Sequence, residues 1–242
     1  KQTAEIINSY RNIENWLIID HYGIDQKWEM KIRDAVKKII VIDDLANRKH
    51  DCDVLIDQNY YSNMKRRYEK LVSRKCLQLL GPKFALLRPE FKESRKKIKK
   101  KRELHRILIS FGGSDPMNQT SKVLRAIKKT NSEFMVDVIA GEANPHKKTI
   151  RELCSSIPKV SFYPHVKNMA KIMLKADLAI GGGGSTTWER CCVGLPAIVS
   201  ILSEDQSQIT KEVARLGCVI NLGLAKTLNP TDYVHSFKRL NS

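Results

Sequence analysis

Two glycine-rich turns hold the residues whose types and spacing are most able to do chemistry. The longer turn lies in GGGGSTTWERCCVGLPAIV at residues 181–199, where four glycines follow an apolar run and a helix is predicted to begin near Ser185. Glycines let the backbone approach a ligand, and a helix start favours phosphate. Glu189 lies four residues after Ser185, where a carboxylate can accept hydrogen bonds from ribose hydroxyls. The pattern favours a ligand site, and the alternative is a tight turn with a capped helix.

The shorter turn, Gly112-Gly113-Ser114-Asp115, ends the apolar run RILISF and precedes a helix predicted to be capped near Asn118. By itself it is equally typical of an ordinary turn. Together with the longer turn it could clamp a second phosphate. Asp205 and Gln206 open a third predicted helix, and two readings stay open for them: Asp205 is an N-cap, or the pair contacts a sugar or its phosphates.

Polar residues also follow other apolar runs. His21 and Tyr22, in the segment DHYG, can act as acid, base or sugar ligands, although a histidine at a strand end is more often a structural hydrogen bonder. Asp43 and Asp44 are adjacent, so they should point to opposite faces of a strand, which argues against a metal site. The backbone around Val166 could bind the edge of a base.

Composition limits the class of protein. The 242 residues are 42% hydrophobic, and no run approaches the ~18 apolar residues of a membrane span. The polar start predicts no secretory leader. Six cysteines without CxxC spacing predict reduced, buried thiols. The net charge of +17 favours anionic partners, but no nucleic-acid-binding motif is present, so the basic run at 92–102 is expected to be a solvated linker or helix face. We expect a cytoplasmic enzyme.

Short apolar runs alternate with amphipathic stretches, which predicts an α/β protein with parallel sheets covered by helices. In doubly wound sheets ligands bind beyond the carboxyl ends of the strands, where all the turns described above lie. We predict an N-terminal Rossmann-like domain (1–91), a basic linker (92–104), a C-terminal nucleotide-binding Rossmann-like domain (105–228) and a closing helix (229–242). The first half shows about three strands, at 16–20, 39–43 and 53–57, so its sheet is expected to lack N-terminal strands.

The blocks DHYG, IDDLANRKHDCDVLIDQN, LLGPKFALLRPEF, ILISFGGSDPMNQT and GGGGSTTWERCCVGLPAIV, in this order, resemble the pseudaminic-acid pathway hydrolase family. That family is similar to the MurG glycosyltransferases and shares their GT-B fold, in which two Rossmann-like domains face a cleft. The resemblance implies release of UDP from UDP-2,4-diacetamido-2,4,6-trideoxy-β-L-altropyranose by attack of water at the anomeric carbon. It covers about residues 15–222 and implies a UDP-sugar as partner, with no cofactor, metal or nucleic acid.

The resemblance also implies roles for individual residues. Glu189 would hold the ribose, the backbone near Val166 the uracil, and Gln206 with Asp205 the sugar, while Tyr22 matches an active-site tyrosine and His21 lies beside it. The diphosphate would be held by the two turns, through Gly112, Gly113, Ser114, Gly182, Gly183, Gly184, Ser185 and Thr186.

One departure from the family pattern matters. The family begins with a G-x-G-H-x-x-R loop whose histidine is the base, and His21 belongs to a different loop. We therefore expect an N-terminally truncated domain. The alternatives to a hydrolase are a MurG-like glycosyltransferase, a nucleotide-sugar-binding fragment without catalysis and, from the charge alone, a polyanion-binding protein. The sequence does not define an oligomeric state.

Overall fold

The computed structural model describes residues 2–9, 15–98, 103–130 and 133–240. The chain divides into two compact units, residues 1–86 and 87–242. Each unit is built around a parallel sheet. The prediction of two parallel-sheet, Rossmann-like α/β domains is therefore confirmed.

The first unit contains a four-stranded parallel sheet in the order β1-β2-β3-β4. Its strands are Trp16–Ile19 (β1), Lys38–Ile42 (β2), Val54–Asp57 (β3) and Leu77–Leu80 (β4). Its helices are Gln2–Asn8 (α1) and Gln26–Ile32 (α2), and the 3₁₀ turn Arg33–Ala35 extends α2. Asp25 caps α2 by accepting a hydrogen bond from Trp28 N (3.3 Å).

The core of the first unit lies on one face of this sheet. Ile39, Val41 and Leu55 are fully buried there and pack with Tyr68. Residues 63–72 have the apolar spacing that predicts a helix, but this prediction is wrong, because the structure has only the 3₁₀ turn Met64–Arg66, followed by turns. A turn allows the buried Tyr68 hydroxyl to donate toward the Asp43 and Asp57 carboxylates, 2.9 and 3.3 Å away.

The second unit contains a six-stranded parallel sheet in the order β10-β9-β8-β5-β6-β7. Counted in chain order from β5, this is the strand order of a Rossmann fold. The direction in which successive strands are added to the sheet reverses between β5 and β8. The strands are Arg106–Ser110 (β5), Met135–Ile139 (β6), Val160–Tyr163 (β7), Leu178–Gly182 (β8), Ala197–Ile201 (β9) and Val219–Leu224 (β10).

Seven helices of the second unit lie within the described residues. They are Pro89–Arg95 (α3), Gln119–Thr130 (α4), Lys147–Ser155 (α5), Met169–Lys175 (α6), Thr186–Cys192 (α7), Asp205–Arg215 (α8) and Pro230–Leu240 (α9). The core joins the apolar faces of α4 and α9 to the central strands through buried side chains such as Val123, Ile109 and Phe237. The helices expected to begin near Asn118, Ser185 and Asp205 are present as α4, α7 and α8.

The basic run at 92–102, expected to be a solvated linker or helix face, begins within a helix. Residues 92–95 are the second half of α3, which belongs to the second unit and packs on α6 and α7. Pro89 occupies the first turn, where its missing N–H costs nothing, and Phe91 is fully buried. Part of the basic run is therefore a helix face, while residues 99–102 lie outside the described residues.

Candidate functional site

The two glycine-rich turns leave neighbouring strands at the same edge of the six-stranded sheet. β5 and β8 pair in parallel, with Ser110 opposite Gly181. Gly112 to Ser114 follow β5, and Gly183 to Thr186 follow β8. The turns therefore flank the point where the strand order reverses, which is where doubly wound folds bind their ligands.

Three glycines of the longer turn are required by packing within the protein. A Cβ on Gly181 would overlap the Ser110 carbonyl oxygen, and one on Gly183 would overlap the Thr210 hydroxyl. On Gly182 it would lie 2.7 Å from Leu202 Cδ1. Close packing of β8 and the following turn on neighbouring residues is therefore one reason for these glycines, in addition to any approach by a ligand.

The shorter turn differs, because its glycines face open space. Gly112 has a φ of 84°, which favours glycine by backbone conformation. Gly113 has no positive φ, and no described atom lies within 4 Å of where its Cβ would be. Gly112, Gly113 and Ser114 are all exposed. At Gly113 neither backbone conformation nor packing within the protein requires a glycine.

Asp115, next in the chain, has a structural task. It is buried, and its carboxylate accepts hydrogen bonds from Gln119 N (2.8 Å), Thr120 N (2.9 Å) and the Thr120 hydroxyl (2.7 Å). It therefore caps α4, where the sequence had indicated Asn118. This cap fixes the end of the turn and so the position of Gly113.

The start of α7 offers fewer free donors than a generic helix. Thr187 N donates to Gly184 O (2.9 Å) and Trp188 N donates to Ser185 O (3.0 Å). Ser185 is the N-cap residue but its side chain makes no capping bond. Helix geometry leaves the N–H groups of Ser185 and Thr186 as the ones that face outward among these residues.

Glu189 is half-buried on the first turn of α7 and is not sealed in the core. Its Oε1 lies 3.7 Å from Arg88 Nη2, and the same guanidinium nitrogen lies 3.2 Å from Glu90 Oε1. Burial raises the pKa of Glu189, while Arg88 and Arg190 act in the opposite direction. Glu189 is thus a partly desolvated carboxylate that can accept hydrogen bonds from a ligand.

Asp205 and Gln206 lie on the first turn of α8. Glu204, and not Asp205, occupies the N-cap position, and it makes no side-chain capping bond. Asp205 is therefore not the N-cap residue, which was one of the two roles left open for it. Its side chain is exposed. Gln206 Oε1 accepts from Leu202 N (3.2 Å), which turns Nε2 toward Gly184, 3.4 Å from where a Cβ would be.

Val166 lies further along the same edge. It follows β7, the edge strand, and is half-buried between that strand and α6. β7 is two strands away from β5, with β6 between them. A ligand reaching from the turns to Val166 would have to extend across the end of β6, past Gly141. A Cβ added at Gly141 would lie 3.5 Å from Gly113 O, so this residue is next to the shorter turn.

Two arginines near Glu189 were not found from the sequence. Arg88 precedes the proline that opens α3, and Arg190 follows Glu189 directly. Arg190 is almost fully buried, and its Nη2 donates to Gly182 O (2.8 Å) and to the Thr187 hydroxyl (3.0 Å). The signal available for Arg190 was a cation at a core-facing position of the apolar segment TTWERCC.

His21 and Tyr22 belong to the first unit, and both are exposed. His21 Nδ1 accepts a hydrogen bond from Gly23 N (3.0 Å), so neutral His21 carries its proton on Nε2 and is set up as a donor and not as a base. The Tyr22 hydroxyl donates to Asp44 Oδ1 (3.0 Å), and Asn59 Nδ2 donates to Asp44 Oδ2 (3.1 Å). Asp44 therefore fixes the direction of the exposed Tyr22 hydroxyl.

The side chains of Asp43 and Asp44 point to different partners, as expected for adjacent residues at the end of a strand. Asp43 is buried against Arg48 (2.6 Å) and Tyr68 (2.9 Å), whereas Asp44 holds Tyr22. Across the part of the chain that the structure describes, no three His, Cys, Asp or Glu side chains are grouped to hold a metal ion. No helix among those residues is both long and apolar enough to cross a bilayer.

The strand order, the reversal between β5 and β8 and the paired turns define the second unit as a Rossmann-type, ligand-binding α/β domain. Residues 107–241 match the family model of the glycosyltransferase family 28 C-terminal domain. Because this match covers more than half of the 242 residues, the chain belongs to that family.

Two curated relatives connect this chain with sugar metabolism. It is 26% identical to the spore coat polysaccharide biosynthesis protein SpsG of Bacillus subtilis, over 93% of this chain and 67% of SpsG. It is 29% identical to the UDP-2,4-diacetamido-2,4,6-trideoxy-β-L-altropyranose hydrolase of Campylobacter jejuni, over 68% of this chain and 58% of the hydrolase. The resemblance stated from the sequence blocks is therefore confirmed. The chain spans 44% to 67% of the length of the curated relatives it matches.

A solved structure supports the fold. MurG of Acinetobacter baumannii is similar with a TM-score of 0.61 and 16% identity, over 90% of this chain and 67% of that one. At this identity the likeness concerns the fold alone. Together with the family match it confirms the predicted GT-B-like class.

Proposed function

We propose that the chain binds a UDP-sugar and, within the protein it belongs to, hydrolyses the bond between the sugar and UDP. The observation that carries the proposal is the pair of turns at the strand-order reversal, with Gly113 open to solvent and Glu189 half-buried nearby on α7. The resemblance to the Campylobacter jejuni hydrolase supports the reaction, since 29% of the matched residues are identical.

The second unit would bind the nucleotide. The backbone of Gly112 to Ser114 and the outward N–H groups of Ser185 and Thr186 would hold the diphosphate, because backbone N–H groups at a turn and a helix start donate hydrogen bonds to phosphate oxygens. Glu189 would accept hydrogen bonds from the ribose. The backbone near Val166 would bind the uracil edge, two strands away.

Hydrolysis needs a water molecule activated at the anomeric carbon and a stabilised UDP leaving group. The donors of the two turns would stabilise the charge that develops on the diphosphate. Tyr22 would hydrogen-bond the sugar or the water, with its own proton held by Asp44 (3.0 Å). Gln206 would reach the sugar or its phosphate through Nε2, and Asp205 is the exposed carboxylate beside it. His21, by its bond to Gly23, would shape this loop.

The test has two parts. Calorimetry with UDP measures binding, and an assay of UDP release from a UDP-linked diacetamido-trideoxy sugar, without any acceptor, measures hydrolysis. We expect UDP to bind and to be released by water alone. Release that requires an added acceptor sugar would contradict hydrolysis.

A second function, MurG-like glycosyl transfer, is favoured by one observation, the match of residues 107–241 to a glycosyltransferase family. It uses the same donor site, with an acceptor hydroxyl in place of water. Acceptor-dependent release of UDP would support it. Binding of UDP with no release under either condition would instead support a binding role.

A further inference from the structure

Arg190 lies directly beneath the longer turn. Nη2 donates to the carbonyl oxygen of Gly182 (2.8 Å) and to the Thr187 hydroxyl (3.0 Å). Nη1 lies 3.1 Å from where a Cβ on Gly181 would be. The guanidinium therefore supports the turn from its protein side, while the opposite side of Gly184 and Ser185 is accessible to solvent.

The charge of Arg190 is not balanced in the way buried arginines usually are. It is 2% exposed. Among the described residues, no carboxylate lies within ion-pair distance of it, and the adjacent Glu189 faces Arg88 instead. Its Nε has no hydrogen-bond partner in the described part of the chain. A buried cation without a counter-ion is costly, which calls for a source of negative charge nearby.

Protonation is still maintained at neutral pH. Burial lowers the pKa of Arg190 to about 10, partly opposed by Cys191 and Glu189. The side chain is therefore a fixed positive charge at pH 7. It contacts the turn through the Gly182 carbonyl oxygen, in buried surroundings that screen its charge weakly.

We propose that Arg190 is a positioning residue that supplies a buried counter-charge to the diphosphate of the nucleotide without touching it. The inference rests on the proposed function, because that function places a diphosphate on the outer side of the turn. The bond to Gly182 O would hold the turn in its ligand-binding shape, and the positive charge would attract the phosphates through it. The ligand would in turn lower the cost of burying the cation.

A purely structural Arg190 makes a different prediction. A brace that only shapes the turn depends on the guanidinium hydrogen bonds to Gly182 O and the Thr187 hydroxyl, so Arg190→Lys should then weaken UDP about as much as Arg190→Met. A counter-charge affects ligands in proportion to their phosphate charge. Uridine, UMP and UDP form such a series, with the same base and ribose and increasing negative charge.

The experiment measures the dissociation constants of uridine, UMP and UDP by calorimetry for the wild-type chain and for Arg190→Met, Arg190→Lys and Arg125→Met. Arg125 is exposed on α4 and controls for the loss of one positive charge from the whole protein. We expect Arg190→Met to weaken UDP on the order of 10- to 100-fold, UMP less and uridine less than about threefold. Arg125→Met should change all three less than about twofold.

Arg190→Lys tests the charge without the guanidinium fork. It should lower Tm, because it loses hydrogen bonds, yet keep the UDP-to-uridine affinity ratio within about fivefold of wild type. If Arg190→Met does not fold, this ratio decides the question, and a loss of more than about tenfold overturns the proposal. Equal weakening of all three ligands, or no weakening of UDP, in a folded Arg190→Met also overturns it.

The failure of the inference can be told from the failure of the proposed function. If the wild-type protein binds UDP and Arg190→Met changes the affinities for uridine, UMP and UDP equally, only the proposed role of Arg190 fails. Wild-type protein that binds none of the three ligands removes the proposed function and the inference together.

Discussion

Ser110 of β5 and Gly181 of β8 are register partners on neighbouring parallel strands, and a Cβ on Gly181 would occupy the space of the Ser110 carbonyl oxygen. This contact brings together the two strands whose turns form the candidate site. The glycines of the two turns have different physical reasons: an added Cβ would meet other atoms at Gly181 to Gly183, whereas Gly113 faces open space. The reasons can be separated by mutation.

Gly113→Ala should leave stability almost unchanged and weaken UDP. The new methyl group meets no described atom within 4 Å and the backbone has no positive φ, so the free energy of unfolding should change by less than about 1 kcal/mol. If phosphate approaches this backbone, the methyl group would block it, and UDP affinity should fall at least about tenfold. Denaturant titration and calorimetry measure the two effects.

Gly183→Ala provides the contrasting case. Its methyl group would overlap the buried Thr210 hydroxyl, so we expect a loss of about 1–3 kcal/mol in the free energy of unfolding. A Gly113→Ala variant that binds UDP as well as wild type would show that phosphate does not approach the shorter turn.

Glu189→Ala should weaken UDP by roughly 1.5–3 kcal/mol if the carboxylate accepts charge-assisted hydrogen bonds from the ribose. Uridine should lose a similar amount, since it carries the same ribose. Because burial raises the pKa of Glu189 above its ordinary 4.5, the carboxylate gains its proton at a less acidic pH than usual. Uridine affinity should therefore decline with falling pH sooner than it would for a carboxylate of ordinary pKa.

Glu189→Gln is the matched control for that pH dependence. It keeps the shape of the side chain but has no proton to gain, so its uridine affinity should be flat over the same range. A raised pKa means that folding disfavours the charged form, so this variant should be no less stable than wild type at pH 7. Unchanged uridine affinity in Glu189→Ala would leave the residue as a partner of Arg88 only.

Much of the second unit could be predicted from the sequence because its local signals agree with its tertiary structure. Each apolar run, such as RILIS, ends in glycine or a polar turn, and amphipathic segments lie between the runs. Periodicity of this kind is the most dependable signal in a single sequence. The positions of both turns at one sheet edge followed from the rule for doubly wound folds.

The missed features depend on contacts between distant residues. The stretch at 63–72 has helical spacing, but Tyr68 is drawn to Asp43 and Asp57 by hydrogen bonds that no local pattern reveals. The strand β4, Leu77–Leu80, was also missed. The sequence also could not show that Gly113 faces open space while Gly183 packs against the Thr210 hydroxyl. That difference depends on atoms distant in the chain.

Tyr22→Phe should lower kcat for UDP release while leaving UDP binding unchanged, because Tyr22 lies in the first unit and the proposed nucleotide site is in the second. Asp44→Asn should have a similar effect if Asp44 acts by holding the Tyr22 hydroxyl, 3.0 Å away. The double variant should then be no worse than either single one, since residues that act as a unit are not additive. Additive losses in kcat would show that the two residues act separately.

Asp53 should make the stability of the protein depend on acid pH. Burial acts to raise its pKa, but hydrogen bonds from Lys38, Ile39 N and Arg33 outweigh burial and lower the pKa from 3.8 to about 2. A depressed carboxylate pKa contributes stability that is present above the unfolded value and is lost as the pH falls from about 4 to 2.

The pKa difference corresponds to no more than about 2 kcal/mol in the free energy of unfolding. Asp53→Asn should therefore be less stable than wild type at pH 7 by an amount of this order, and the two curves should converge toward pH 2. Urea titrations at a series of pH values measure the difference. A difference that stays constant down to pH 2 would mean that the Asp53 charge contributes nothing and that the loss comes from packing alone.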